Sequence, residues 1–319
     1  MDKFKGTLSA RDAAQSVCRA AGDHWCDACP VGDGGDGTIE AFGRPNRVSR
    51  VFGPHGYELD AAWRFAGDGA YIEVAAASGL VVSNNRHDPV EATTYGTGQL
   101  IAEAIRLGAG RILVGVGGSA TTDGGTGAIQ AVAPLLQDGR LPVPVTVLCD
   151  VSTVFTDAAR IFGPQKGASP AQVEVLTERL RSMRAGWLAH YDVDEMVGSG
   201  AGGGLAGGLA SLGAELKPGF STVAEHLDLA RRIGEVDLVF TGEGRFDETS
   251  RQGKAVGGVL DLAANAGVRA IVIAGAASEG DPNVISLVGR YGDTAWNDPA
   301  ACIEAAVREW LDGPAIAGR

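Results

Sequence analysis

Two stretches of the chain hold acidic and hydroxyl side chains between glycines. In "CPVGDGGDGT", residues 29–38, Asp33 and Asp36 stand among four glycines. Glycine loses the most backbone freedom on folding, so it is placed where the chain takes a positive φ or approaches something closely. Carboxylates on such a loop suit proton transfer, metal binding or a tight Asx-type turn. In "VGVGGSATTDGGTG", residues 114–127, a strand-like run enters a glycine turn bearing Ser119, Thr121, Thr122 and Asp123, and "AIQAVAPLL" follows as a helix. Backbone N–H groups in a turn of this kind can cradle an anion, with the hydroxyls adding hydrogen bonds and the acid serving a proton or a metal.

Other readings compete for the same residues. Gly115 to Ala120 fits the looser dinucleotide fingerprint G-x-G-x-x-A, with Asp138 near the spacing of a ribose-binding acid, which makes an NAD(P)-dependent dehydrogenase the rival enzyme. Against it, the helix should begin inside the fingerprint, whereas a second polar glycine turn intervenes, and Asp138 falls in the turn-like "LQDGRLP". The P-loop pattern G-x-x-x-x-G-K-[ST] occurs nowhere. "HWCDACP" (24–30) imitates a redox C-x-x-C, but "VGDGGDGT" cannot start the helix that would activate the first thiol. It reads instead as a short strand with Cys26, Ala28 and Pro30 on one face. Asp36 is the better candidate for capping a helix that starts near Thr38, and Asp33 the better candidate for chemistry.

Composition sets the frame for these loops. The 319 residues suggest two domains of ordinary size. Acidic side chains outnumber basic ones 39 to 27, for a net charge of −12, and the basic residues form no runs. Nucleic acid and anionic membrane are therefore disfavoured as partners, while small anionic ligands fit. No segment approaches the continuous apolar length of a membrane span, and "MDKFKGTLSARDAA" lacks the apolar core of a signal peptide, so a cytoplasmic location is expected. Five irregularly spaced cysteines argue against a disulfide framework.

The elements that must position the loops alternate between strand and helix, the pattern of α/β layers on a mostly parallel sheet. "LSARDAAQSVCRAAG" reads as a helix capped by Ser9, and "TTYGTGQLIAEAIRLGAG" as a helix ended by glycine before the strand "RILVGVGG". "VTVLCD" (145–150), "VDLVFTGEG" (236–244) and "RAIVIAGAA" (269–277) are apolar strands with polar or glycine-rich tips. Ligands of open α/β sheets bind at that edge, which draws attention to Asp150, Glu243 and Arg245. "GSGAGGGLAGGLASLG" (198–213) reads as a loop feeding a closely packed helix.

Taken in order, "DKFKGTLSA", "VGDGGDGT", "TTYGTGQLI", "GVGGSATTDGG", "FGPQKGA", "GSGAGGGLAGGL" and "DLVFTGEGRFDETSRQGK" resemble the segments of the bacterial type-1 glycerate kinase family over nearly the whole chain. The resemblance implies two α/β domains around a cleft, one of them discontinuous with a flavodoxin- or Rossmann-like parallel sheet. Residues 1–60 and 225–319 are assigned to that domain and 61–224 to the inserted one. It also implies that ATP and Mg²⁺ are used to phosphorylate D-glycerate, with the 2-position favoured. A two-domain small-molecule binding protein without catalysis is the non-enzyme alternative.

On that reading Asp33 and Asp123 are the candidate catalytic groups, and Asp150 and Glu243 the candidate metal ligands. Gly34, Gly35, Gly117, Gly118 and Ser119 are candidates for close approach to phosphate, and Lys3, Lys5, Lys166 and Arg245 for pairing with anionic groups of the substrates. In the family an apolar strand precedes the segment like "DKFKGTLSA", so the expectation is that the natural protein starts upstream of Met1, or else that this chain is a poor enzyme with a mobile N-terminus. Oligomeric state is left open.

Overall fold

The computed structural model describes residues 1–4, 6–187, 191–251, 254–278 and 281–313. Its contacts divide the chain into two compact units, one made of Met1–Gly32 with Phe220–Arg319 and the other of Asp33–Gly219.

The second unit is built on a six-stranded sheet in the order β1-β2-β3-β4-β5-β6: β1 Arg47–Phe52, β2 Glu58–Ala66, β3 Gly69–Glu73, β4 Arg111–Gly115, β5 Val145–Cys149 and β6 Glu215–Pro218. β1, β2 and β3 pair antiparallel, and β3 to β6 pair parallel. The parallel strands read as apolar runs because both faces are covered: Ile112, Val114, Val145 and Val147 are buried in one cluster with Leu100, Ile101, Leu205 and Leu209 from flanking helices. Helix Tyr95–Arg106 lies so close to helix Thr126–Val132 that a Cβ on Gly98 would stand 2.6 Å from the Cα of Ala128. The glycine-rich stretch is a loop over 198–204 followed by the buried helix Leu205–Ser211.

Residues 33–60 belong to this unit, not to the discontinuous domain to which residues 1–60 were assigned, because β1 is hydrogen-bonded along its length to β2. The second break falls after Gly219, near the expected 224/225.

The first unit holds a three-stranded parallel sheet, β7 Leu238–Phe246, β8 Arg269–Ala277 and β9 Val284–Ser286. Helices Ala10–Ala20 and Pro299–Leu311 bury Ala13, Val17, Ile303 and Val307 in one core with Ile271 and Ile273 of β8. The Ser9 cap is present, its oxygen accepting from the Asp12 amide at 3.1 Å. Two expectations fail here. Residues 25–32 form no strand, and Cys26, instead of packing as a strand residue, is disulfide-bonded to Cys18 at the end of helix Ala10–Ala20. The eight-residue separation carries no motif, so composition alone gave no reason to pair them. No helix among the described residues is long and apolar enough to cross a membrane.

Candidate functional site

The glycine loops meet at the C-terminal edge of the second unit's parallel strands, where open α/β sheets bind ligands. Loop 33–38 is wedged against the chain leaving β4 and β5. Gly117 donates its amide to Gly34 O at 3.4 Å, and a Cβ on Gly117 would stand 2.4 Å from the Cα of Gly35. A Cβ on Gly34, which has φ +95°, would meet Leu148 O of β5 at 2.8 Å. Glycine is therefore required at these points by backbone lying on backbone. Three of the expected phosphate-binding glycines already have internal acceptors: Gly34 N–H donates to Thr38 Oγ1, Gly35 N–H to Asp33 Oδ1 and Gly117 N–H to Gly34 O. The next two amides, of Gly118 and Ser119, make no hydrogen bond of good geometry to a described residue, although residues 117–118 form a turn that brings the Ser119 amide toward Val116 O.

The two candidate catalytic carboxylates differ sharply. Asp33 is half-buried and accepts one bond at Oδ1 from Gly35, closing the Asx turn, while its Oδ2 meets no described donor. Asp123 is 6% exposed and accepts four bonds: from Gly125 N at Oδ1, and from Thr94 N, Thr94 Oγ1 and Gly127 N at Oδ2. That carboxylate holds the start of helix Thr126–Val132 against the start of helix Tyr95–Arg106, which leaves little of it for a proton or a metal. The helix after the Asp33 loop, Ile39–Phe42, has its first amide bound to Glu73 Oε1 at 2.7 Å, a partner 34 residues away.

Lys166 is almost fully buried, on the single turn Pro164–Lys166. Its ammonium donates to Ser119 Oγ at 2.9 Å and to Thr121 O at 2.6 Å. Burial pulls its pKa down to about 7, against the upward pull of the Asp123 carboxylate. Two further hydroxyls of this edge, Thr122 Oγ1 and Ser199 Oγ, are buried with no partner among the described residues. Gly203 ties the loops together: a Cβ there would stand 1.9 Å from Thr121 O.

Asp150 follows β5 directly and is exposed, and Asp36 is half-buried on the opening loop. The remaining expected residues belong to the first unit. Lys3 is half-buried, Glu243 lies in β7, and Arg245 is 82% exposed with Nε 3.8 Å from the Asp247 carboxylate. Lys5 lies outside the described residues, as do residues 252 and 253 of the "RQGK" stretch. Among the described residues no group of three or more His, Cys, Asp or Glu side chains is placed to hold a metal. The dinucleotide fingerprint does not form: residues 117–125 are not helical, the helix starts at Thr126, and Asp138 sits at φ 49° in a tight turn bridging Gln137 and Arg140.

Amide donors, hydroxyls and an open carboxylate on neighbouring glycine loops at a parallel sheet edge have the make-up of an α/β enzyme that handles anionic groups. The family model described as the glycerate kinase family matches residues 1–142 and 136–289. The glycerate 2-kinase of Escherichia coli (strain K12) is 38% identical over 321 residues, covering 87% of this chain and 84% of that protein. The glycerate kinase of Bacillus subtilis (strain 168) is 36% identical over 327 residues, covering 89% and 85%. The crystal structure of a protein assigned as glycerate kinase 2, from Salmonella typhimurium LT2, superposes with a TM-score of 0.80 at 32% identity, covering 97% of this chain and 95% of that one. The chain belongs to the glycerate kinase family and is an enzyme of the kinase class.

Proposed function

We propose that the protein transfers the γ-phosphoryl group of ATP directly to D-glycerate, with 2-phosphoglycerate as product. The observation that carries this reading is the joining of two loops through the Gly117–Gly34 bond. One loop offers the open Oδ2 of Asp33, and the other the amides of Gly118 and Ser119, which make no internal hydrogen bond of good geometry. Phosphoryl transfer to an alcohol needs chiefly positioning, charge neutralisation and one acceptor for the hydroxyl proton.

In this mechanism Asp33 Oδ2 takes the proton from the attacking glycerate hydroxyl, and its Oδ1 stays tied to Gly35 so that the carboxylate keeps its orientation. The amides of Gly118 and Ser119 donate to anionic oxygen of a bound substrate. Magnesium, which enters such reactions with the triphosphate and needs only one or two protein carboxylates, would neutralise phosphate charge, and the exposed Asp150 at the end of β5 suits it as a ligand. Glu243 carries over as a second candidate ligand on the family resemblance. Lys3, Lys5 and Arg245 carry over likewise as partners of substrate anions. Asp123 is assigned to architecture.

The test is ADP release, coupled to a dehydrogenase readout, from the full chain with D-glycerate, ATP and Mg²⁺. Release that depends on glycerate supports the proposal. An absorbance change with NAD(P) and glycerate but no ADP would favour the dehydrogenase, and binding without turnover the non-catalytic receptor.

A further inference from the structure

Lys166 has no need of a substrate to satisfy its first two N–H bonds, because Ser119 Oγ and Thr121 O take them inside the protein. Ser119, itself 6% exposed, accepts from that ammonium, and none of the described residues accepts the Ser119 proton. We propose that Lys166 is a positioning residue that acts through Ser119: by filling the acceptor side of Oγ it turns the Ser119 O–H outward, completing with the Gly118 and Ser119 amides a three-donor cradle for an oxyanion of the substrate. The inference rests on the kinase reading for the identity of the substrate, and on the Lys166–Ser119 hydrogen bond for the role of the lysine.

A charged lysine has no lone pair and can only donate, so its partner hydroxyl must accept and keep its own proton for something else. A neutral lysine amine has a lone pair that can accept the serine proton, and the hydroxyl then turns inward and is lost to the ligand. The two states are close in energy here, because burial lowers the lysine's pKa to about 7. The charge shown to act on Lys166 is Asp123, on the same loop as Ser119, and it favours the donating form. His87, whose Cβ lies where a Cβ on Gly167 would come within 2.8 Å, is the titratable residue beside the next position of the chain.

The cradle suits a phosphate oxygen or a carboxylate, so the test carries one arm for each. Affinities of the full chain for ATP and for D-glycerate would be measured by calorimetry between pH 6 and pH 9, and kcat and KM by ADP release, for wild type, Ser119→Ala, Lys166→Met and the double variant. The arm that senses the cradle should show a loss of roughly tenfold in each single variant, with the double variant no worse than Ser119→Ala within about twofold, because residues acting as one unit are non-additive. In wild type that affinity should fall as pH rises through the neutral range, and it should be flat in Ser119→Ala, a variant that leaves Lys166 in place and decides the matter even if Lys166→Met fails to fold. A further tenfold loss on adding Lys166→Met to Ser119→Ala would show the lysine touching the ligand itself and would overturn the proposal. So would a pH step that survives in Ser119→Ala, single variants that bind and turn over like wild type, or a wild type that binds neither anion. Coupled losses in binding without glycerate-dependent ADP release would leave the cradle standing and remove the kinase reading.

Discussion

Asp33 and Asp123 each lie in a glycine-rich turn, yet one carboxylate accepts a single internal hydrogen bond and the other four. Their asparagine variants should therefore fail in opposite ways. Asp33→Asn keeps an oxygen for the Gly35 amide but removes the group proposed as the base, so on that proposal kcat for ADP release should fall by ~10²-fold or more with little change in the thermal midpoint. Asp123→Asn turns an NH₂ toward backbone donors in a buried place, and urea unfolding should show a loss of roughly 1 to 3 kcal/mol. A large turnover defect without destabilisation in Asp123→Asn would return it to the chemistry. Lys166 adds a pH signature to stability. Its folded pKa, about 7, lies below the unfolded value of 10.5, so between those values the unfolded chain binds more protons and the folded state gains stability as pH rises. The penalty is full below pH 7 and relieved toward the unfolded value. Relative to Lys166→Met, which cannot titrate, wild type should gain roughly 2 to 3 kcal/mol between pH 6 and pH 9 in urea melts. An unchanged difference would mean that the lysine is not desolvated.

At the scale of elements, the site is a set of loop-to-loop contacts, and glycine substitutions test whether those contacts matter. Gly117→Ala would place a methyl group 2.4 Å from the Cα of Gly35, with no flexible side chain to yield. The two loops must separate, and ADP release should fall at least tenfold. Gly108→Ala is the control: at φ +84° it has nothing within 4 Å, so it should cost ~1 kcal/mol of backbone strain and leave activity unchanged. Equal activity in the two variants would make loop contact irrelevant to turnover. What the sequence made readable follows the range of the interaction. The apolar strands and the Ser9 cap rest on neighbours a few residues apart, and all appear in the structure. The partners that decide the site are distant: Thr94 lies 29 residues before Asp123, Lys166 lies 47 residues after Ser119, and Glu73 lies 34 residues after the helix start it caps. A glycine-rich pattern marks where the backbone must approach something closely, but does not say whether that something is a ligand or another strand's carbonyl.

At the scale of the whole molecule, the Asp33–Gly219 unit is one continuous length of chain with its own sheet and its own apolar cores. Residues 33–219 expressed alone should unfold cooperatively, as a segment with a private core does. A non-cooperative melt would show that the core needs the rest of the chain. The first unit is assembled from the two ends of the chain, a topology that the motif order suggested through the family resemblance, although local pattern could not show that β1 joins the second sheet. Membership of the glycerate kinase family is shown, and the proposed reaction adds to it the donor, the product and the roles of Asp33 and of the Gly118–Ser119 turn. Phosphorus NMR of the full chain with ATP, Mg²⁺ and D-glycerate tests it most directly. The account predicts that the γ-phosphate signal of ATP is replaced, one for one with ADP, by the signal of 2-phosphoglycerate. An unchanged ATP spectrum, or conversion to ADP and orthophosphate with glycerate left intact, would contradict it.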